Sequence, residues 1–542
     1  MQIGLLTDLQ GQRVWHKWLA AELACDGHEL VIVRSSLDSA LSRPTSLQIA
    51  LWLDPVLFKL RDAGERAFAE LPEKVLPECS PRDGILDLLI DASSGGTTTV
   101  QARHVVRLLF NGRTSELAAV DAILDQAVVV LTIDNGQGVH LETVRPGIER
   151  RECLSAALDN VFSAVVEWLA DRIKNGNLAS AIARPGPAAK EQTASDSRSD
   201  PKIGNLAGSQ YIASVVKRKI SNYLDRHIRA KMSWAIAIRT CLGKGLAEGP
   251  WPSVATYDVI PDDGQRYFAD PFLFEHNGRT HLFAEEFPFA TGRGIISVAE
   301  VDERGNAGTF RPVLERQHHL SYPFVFAEAG EIWMIPEACE SGGVDLYRAV
   351  EFPGRWEFER TVLDGVPGCD ATIVPFGGKY FMILTSTRWR GSTWDKQRIF
   401  VAQSPLGPWQ EQAGGLVRVD CTLARPAGPP IACGRKILRP AQDCSRFYGG
   451  SMTLLEVRHL SASASSEVPV ARLRVIAPAE ILGTHTYSKS RTIEAIDVFG
   501  DVSATRRVTL ECAPISAASD AEPTFVPDRR EPASDGNHLA GT

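Results

Sequence analysis

The chain has 542 residues, 44% of them hydrophobic and 23% charged, an ordinary globular balance at a length that suggests more than one domain. Its net charge of −8 argues against nucleic-acid binding, because phosphate contacts need a basic face. No apolar run approaches the roughly 20 residues of a membrane span, and the ten scattered cysteines show no Cys-x-x-Cys spacing. That usage predicts a cytoplasmic, reducing setting with neither a disulfide framework nor a zinc site, and no cofactor is expected.

Residues 1–175 read as an α/β domain. The N-terminus, Met1 to Thr7, lacks a basic leader and reads as a first strand, with Ile3 to Leu6 apolar. Trp15, Trp18, Leu19 and Leu23 follow at helical spacing. Asp26-Gly27-His28 then turns into a second strand at Leu30–Val33. Further strands are expected at Leu86–Ile90, Val105–Phe110 and Val128–Ile133, and a helix over about 154–173 closes the domain. Residues 176–207 are rich in Ala, Pro, Ser, Gly and Asp and read as a flexible linker. An amphipathic helix is expected over 208–232, with Ile212, Val215, Val216, Ile220, Tyr223 and Leu224 on one face. Its Lys217-Arg218-Lys219 could meet acidic lipid, but a solvated face is the simpler reading.

Residues 233–505 repeat. Segments beginning at Asp270, Tyr322, Asp370, Arg425 and, more weakly, His485 are spaced 52, 48, 55 and 60 residues apart. The clearer copies read as strand, Gly-containing hairpin, strand. This period predicts an all-β propeller of five blades, with the repeat starts aimed at the central axis. Trp234–Arg239 would supply an outer strand to the last blade, and the aromatics Trp333, Trp389, Trp394 and Trp409 would mostly fill blade cores. Residues 506–542 read as a disordered tail.

Two resemblances sharpen these expectations. The N-terminal pattern resembles the formyltransferase fold of methionyl-tRNA formyltransferase-like proteins. That family implies an Asn–His–Asp constellation, whereas here His104 precedes Asn111 and Asp91–Gly96 is a lone Gly-rich turn. A degenerate, structural domain is therefore expected, with formyl transfer as an alternative.

The repeat region resembles the propeller of the N-terminal region of plant glucosamine inositolphosphorylceramide transferases, related to glycoside hydrolase families 43, 32 and 68. The residues that carry it include Ala269-Asp270-Pro271-Phe272, Met334-Ile335-Pro336-Glu337, Ala424-Arg425-Pro426-Ala427-Gly428, Arg439-Pro440-Ala441-Gln442-Asp443 and Thr484-His485-Thr486. The resemblance implies a base or nucleophile at Asp270, an orienting carboxylate at Asp370 and a central histidine at His485. The acid it implies at the start of the fourth blade is replaced by Arg425, which cannot donate a proton at neutral pH.

Glu337 and the Glu285-Glu286 pair are then the nearest candidate acids, with Glu337 or Glu286 preferred. Arg425 and Arg439 would grip an anionic sugar, a phosphosugar or a sugar nucleotide, and Tyr322 would contact substrate. Each of these residues also has a structural alternative, from turn capping at Asp270 to a satisfied core imidazole at His485. The expected function is carbohydrate-active, by glycosyl transfer or hydrolysis, with a non-catalytic sugar-binding module as the second reading. Neither the sugar, the linkage, the donor nor the oligomeric state is legible.

Overall fold

The computed structural model describes residues 1–176 and 232–515, apart from 8–10, 35–44, 61, 72–73, 80–83, 94–97, 126, 137 and 262, together with 209–213, 215 and 217. The expected linker and tail termini, and most of the expected amphipathic helix, lie outside the described residues. The chain divides into two compact units, the first over Met1–Ile228 with Arg388–Ser392, the second over Arg229–Thr387 and Thr393–Thr524.

In the first unit the elements run β1 (Gln2–Thr7), α1 (Val14–Cys25), β2 (Glu29–Arg34), α2 (Thr45–Leu57), β3 (Ile85–Asp91), β4 (Gln101–Phe110), α3 (Glu116–Leu124), β5 (Leu131–Asp134), β6 (His140–Val144) and α4 (Leu154–Lys174). They form one α/β sheet of order β2-β1-β3-β4-β5-β6. The first four strands are parallel, and β5 and β6 turn antiparallel. Parallel strands need crossover connections, which α1 supplies between β1 and β2. The apolar strand residues Ile3, Leu5, Ile32, Val33 and Ile90 are fully buried, as are Val161, Phe162 and Val165 of α4. The expected strand at 128–133 is shorter, and α2, α3 and β6 are additions to the sequence reading.

The second unit is a β-propeller. Strands β7 (Ser233–Thr240) and β8 (Ser253–Val259) come first in the chain. The first blade is β9 (Arg266–His276), β10 (Arg279–Pro288), β11 (Ile295–Val301) and β12 (Arg311–Leu314). The second is β13 (Ser321–Glu328), β14 (Glu331–Glu337), β15 (Val344–Glu351) and β16 (Arg355–Leu363). The third is β17 (Gly368–Phe376), β18 (Lys379–Ser386), β19 (Lys396–Ala402), β20 (Gln410–Glu411) and β21 (Arg418–Val419).

The fourth group is β22 (Ile431–Cys433), β23 (Lys436–Asp443), β24 (Ser451–Leu460) and β25 (Ser465–Ala477). The fifth is β26 (Ile481–Gly483), β27 (Tyr487–Lys489) and β28 (Ile493–Gly500), completed by β7 and β8. The last strand, β29 (Arg507–Pro514), pairs with both β25 and β8 and joins the last two groups into one sheet. Residues 507–514 are thus structural and not tail, because their alternating Val508, Leu510 and Cys512 are buried. The outermost strand of the fifth group is β8, with the expected 234–239 strand one place inward as β7.

The hairpins between the first two strands of the first three blades turn at Asn277-Gly278, Ala329-Gly330 and Gly377-Gly378, all with positive φ at both residues. This matches the right-handed strand twist and fixes the register behind the axial residues. Apolar faces of successive blades close on one another, as with Val374, Phe381 and Ile399 against Val457 and Leu460. Trp333, Trp394 and Trp409 are buried as expected of blade fillers. Trp389 is not one of them: it groups with the first unit and stacks on Trp18 at 5.5 Å.

Candidate functional site

A shared backbone device builds the centre of the propeller. In β9, β13 and β17 the register with the next strand slips once, so that two residues oppose one. The first residue of each bulge is Asp270, Tyr322 and Asp370, and all three hold positive φ, at 50°, 43° and 53°. A non-glycine residue pays about 1–3 kcal/mol for such a conformation. A bulge re-aims its side chain, and these three residues are the first three of the five starts of the sequence repeat. Fifteen residues later come Glu285, Glu337 and Thr385. Each of these pairs across the hairpin with the residue just before a bulge: Ala269, Ser321 and Cys369.

Asp270 is 5% exposed. Its Oδ1 accepts from Thr486 Oγ1 at 2.8 Å and its Oδ2 from the Tyr322 amide at 3.1 Å. His485 Nε2 stands 3.7 Å from Oδ1. Burial pushes the Asp270 carboxyl up to about 6; His485 opposes the shift, and Asp370 and Asp497 add to it. His485 is held from behind by Asp497, with Nδ1 to Oδ2 at 2.5 Å, and stacks on Trp234 at 4.1 Å. Burial works against its protonation, but Asp497 and Asp270 outweigh it and its pKa is raised. Asp497 also accepts the amides of Asp270, His485 and Thr486.

Asp370 lies in the second half of the centre. Arg425 donates to it through Nε at 2.6 Å and Nη2 at 3.2 Å, and Gln442 Nε2 adds a bond at 2.8 Å. Arg425 also reaches Glu337 Oε2 at 3.2 Å and Thr393 Oγ1 at 3.0 Å, and lies over the Tyr448 ring at 5.2 Å. Burial still pushes Asp370 up to about 6, with Arg425 opposing and Glu337 adding to the rise.

The sequence-predicted residues therefore part company. Asp270, Asp370, Glu337, Arg425 and His485 meet at the axis. Arg425, expected to grip an anionic ligand, is instead committed to Asp370 and Glu337. Arg439, expected beside it, is fully buried and saturated: it makes a bidentate bond to Glu467 at 2.6 and 2.8 Å and donates to the carbonyl of Leu423 at 2.8 Å. Tyr322, expected on substrate, is 2% exposed, and its hydroxyl is taken by Thr372 Oγ1 at 2.7 Å and the Gly428 amide at 2.8 Å.

Glu286, a candidate acid, is spent on Arg266 at 2.6 Å and Ser297 at 2.5 Å. Its neighbour Glu285 takes the axial place, because successive strand residues face opposite ways. Glu285 is buried, accepts from Tyr267 at 3.4 Å and stands 3.3 Å from His319 Nε2. Burial, then Asp270 and Glu337, raise its pKa well above the carboxylate range.

Gln442, Tyr448 and Asp497 were not singled out from the sequence, and of the Glu285-Glu286 pair the sequence reading settled on Glu286. The constant fifteen-residue interval from the repeat starts was the signal that separates Glu285 from Glu286. Among the described residues, two clusters could hold a cation, each with three ligand atoms within 4.8 Å: Asp270, His485 and Asp497, and separately Glu337, Cys339 and Cys369.

In the first unit, His104 is exposed on β4, and the Asn111 amide braces the turn after it through Val128 O and Val130 N at 3.0 and 2.9 Å. Of the expected Gly-rich turn at Asp91–Gly96, residues 94–96 lie outside the described residues.

Comparison with known proteins adds a family to this geometry. Residues 253–492 match the family described as glucosamine inositolphosphorylceramide transferase 1, N-terminal. The chain is 32% identical over 244 residues to glucosamine inositolphosphorylceramide transferase 1 of Oryza sativa subsp. japonica, covering 44% of this chain and 31% of that protein. It is 33% identical over 233 residues to the Arabidopsis thaliana protein of the same name, covering 41% and 30%. The chain thus spans about a third of the length of these relatives.

Among solved structures, similar ones include a GH43_1 enzyme from Xanthomonas citri, at 13% identity, 47% of this chain, 90% of that chain and TM-score 0.34. Another is a family 117 glycoside hydrolase from Zobellia galactanivorans, at 11% identity, 51% and 90% coverage and TM-score 0.32.

Proposed function

We propose that the propeller, whose residues 253–492 match the N-terminal region of the glucosamine inositolphosphorylceramide transferase 1 family, acts on a glycosidic bond of a glycan or glycolipid at its axis. The observation that carries this reading is the pair of buried carboxyls, Asp270 and Glu285, on neighbouring strands in different environments. Glycosidic chemistry needs one carboxyl protonated and one ionised. Burial, then the acidic neighbours Asp270 and Glu337, push the Glu285 carboxyl well above its ordinary value, and this reading assigns it as the protonated partner. Asp270, pushed up to about 6 by burial with His485 opposing the shift, is the carboxyl this reading assigns as ionised.

In this reading Asp270 takes the proton of the attacking hydroxyl as its oxygen bonds to the anomeric carbon. The bond to the leaving oxygen breaks, and Glu285 supplies that oxygen with a proton. Water as the attacking group gives hydrolysis, and a sugar or lipid hydroxyl gives transfer. Asp370, fixed by Arg425 and Gln442, orients substrate, and Glu337 is the alternative acid. The cytoplasmic setting expected from the cysteines belongs to this proposal.

A non-catalytic sugar-binding module is the second reading. It is favoured by Arg425 at the position where the related enzymes carry an acid, and by the match being confined to about a third of the relatives' length. Formyl transfer by the first unit has no His104–Asn111 constellation to rest on.

The test is binding and turnover of a panel of neutral oligosaccharides, glycolipids and sugar nucleotides. Turnover that falls 100-fold or more in both Asp270→Asn and Glu285→Gln supports the enzyme. Binding without turnover by the unmodified chain replaces it with the binding module, and neither binding nor turnover on the panel contradicts both.

A further inference from the structure

Beside the axial clamp lies a pair of thiols with no part in the chemistry proposed above. Cys369 is 1% exposed on β17, directly before Asp370. Cys339 is half-buried and opens the short 3-10 turn Cys339–Ser341, two residues after Glu337. Both thiols are free, and their sulfurs and a Glu337 carboxylate oxygen all lie within 4.8 Å of one another. The two cysteines come from adjacent blades. Each is within two residues of a carboxylate that holds Arg425, since Glu337 and Asp370 accept its bonds at 3.2 and 2.6 Å.

We infer that Cys339 and Cys369 form a site of reversible thiol–disulfide exchange with low-molecular-weight disulfides, and that the cross-link acts on the Arg425 clamp. Cys339 is the more accessible sulfur and attacks first. Its thiolate bonds to one sulfur of the external disulfide and expels the other as a thiolate. Cys369 then passes its proton to the first expelled thiolate and attacks the Cys339 sulfur, expelling the second external thiolate. Two protein thiols are oxidised, and one external disulfide is reduced to two thiols.

The order follows from exposure, since Cys339 is half-buried and Cys369 is 1% exposed. Closing the bond brings the sulfurs to about 2.05 Å. That draws the turn after Glu337 toward β17 and ties together the two elements that hold Arg425.

The experiment is incubation of the full chain with graded ratios of oxidised to reduced glutathione. Thiol counting, peptide mass mapping and hydrogen exchange over residues 331–343 are the readouts, with Cys339→Ser as the control. None of them depends on the glycosidic reading. The expected result is loss of two thiols, a peptide joining Cys339 to Cys369 that is released by dithiothreitol, and exchange over 331–343 slowed several-fold in the unmodified chain alone. A lasting glutathione adduct on Cys339 without the cross-link would overturn the inference. So would thiols that become reactive only after a chelator strips a metal. Unchanged exchange in the cross-linked protein would overturn its action on the clamp.

Discussion

Glu467 on β25 and the axial pair Asp270 and Asp370 are buried to the same degree, with side chains 3%, 6% and 2% exposed. Their chemistry is opposite. Glu467 meets two guanidinium groups, Arg439 in bidentate fashion and Arg418 at 3.3 Å. Burial alone would raise its pKa, but the two arginines outweigh it and hold it at about 2. At the axis, Asp270, Glu285, Glu337, Asp370 and Asp497 have beside them one arginine, Arg425, and two histidines, His485 and His319. There burial wins, and Asp270 and Asp370 titrate at about 6. A carboxylate with its charge fully matched is a joint in the framework. A carboxylate with too little positive charge around it is ready to bind a proton, and proton transfer is what a catalytic group must do.

The largest effects should come from the two arginines. Arg439→Ala and Arg425→Ala each leave buried carboxylate charge behind and should cost about 3–5 kcal/mol in urea unfolding at pH 8. The loss in Arg425→Ala should shrink at pH 5, where Asp370 can take up a proton. The loss in Arg439→Ala should persist there, because Arg418 still keeps Glu467 ionised. Equal pH dependence in the two variants would break the comparison.

Isosteric amides should separate the sites next. The raised pKa of Asp270 means that its stabilising proton uptake is complete below its unfolded value of 3.8 and is lost as pH rises through about 6. Asp270→Asn should therefore be more stable than the unmodified chain at pH 8, by up to about 3 kcal/mol, with the gap closing below pH 4. Glu467 has the opposite sign: its contribution is present above 4.5 and is lost as pH falls through 2. Glu467→Gln should cost about 3 kcal/mol at pH 7 and progressively less toward pH 2. Thermal unfolding across pH reads both.

Smaller effects sharpen the boundary of the site. Tyr322→Phe removes the acceptor of the buried Gly428 amide and should cost about 1–3 kcal/mol in thermal unfolding. Glu286→Gln should cost about 1 kcal/mol or less, because its partner Arg266 is solvent-exposed on one side, and should leave any turnover intact while Glu285→Gln removes it.

Much of the propeller was legible because its repeat is written in local rules. Strand alternation, the Asn277-Gly278 and Gly377-Gly378 turns and the recurring starts at Asp270, Tyr322 and Asp370 all follow from short-range chemistry. What escaped depends on register. Glu285 and Glu286 are neighbours in sequence and face opposite ways, and only the bulge at Asp270 decides which one reaches the axis. The partners of Arg425 and Arg439 escaped for a related reason. Arg425 meets Asp370 from 55 residues away and Arg439 meets Glu467 from 28, so composition alone could not tell a ligand-binding guanidinium from a saturated one. Strand β29 was hidden by its place beside a Ser- and Ala-rich stretch, although Val508, Leu510 and Cys512 alternate as a buried strand should.

The proposed chemistry requires Glu285 to be a protonated carboxyl at neutral pH and Asp270 to be ionised. Infrared difference spectroscopy in the carbonyl-stretch region of protonated carboxyls tests it directly, comparing the unmodified chain with Glu285→Gln at pH 7. The account predicts a protonated-carboxyl band in the unmodified chain that Glu285→Gln removes. A band-free spectrum at pH 7, or a band that survives the substitution, would contradict it.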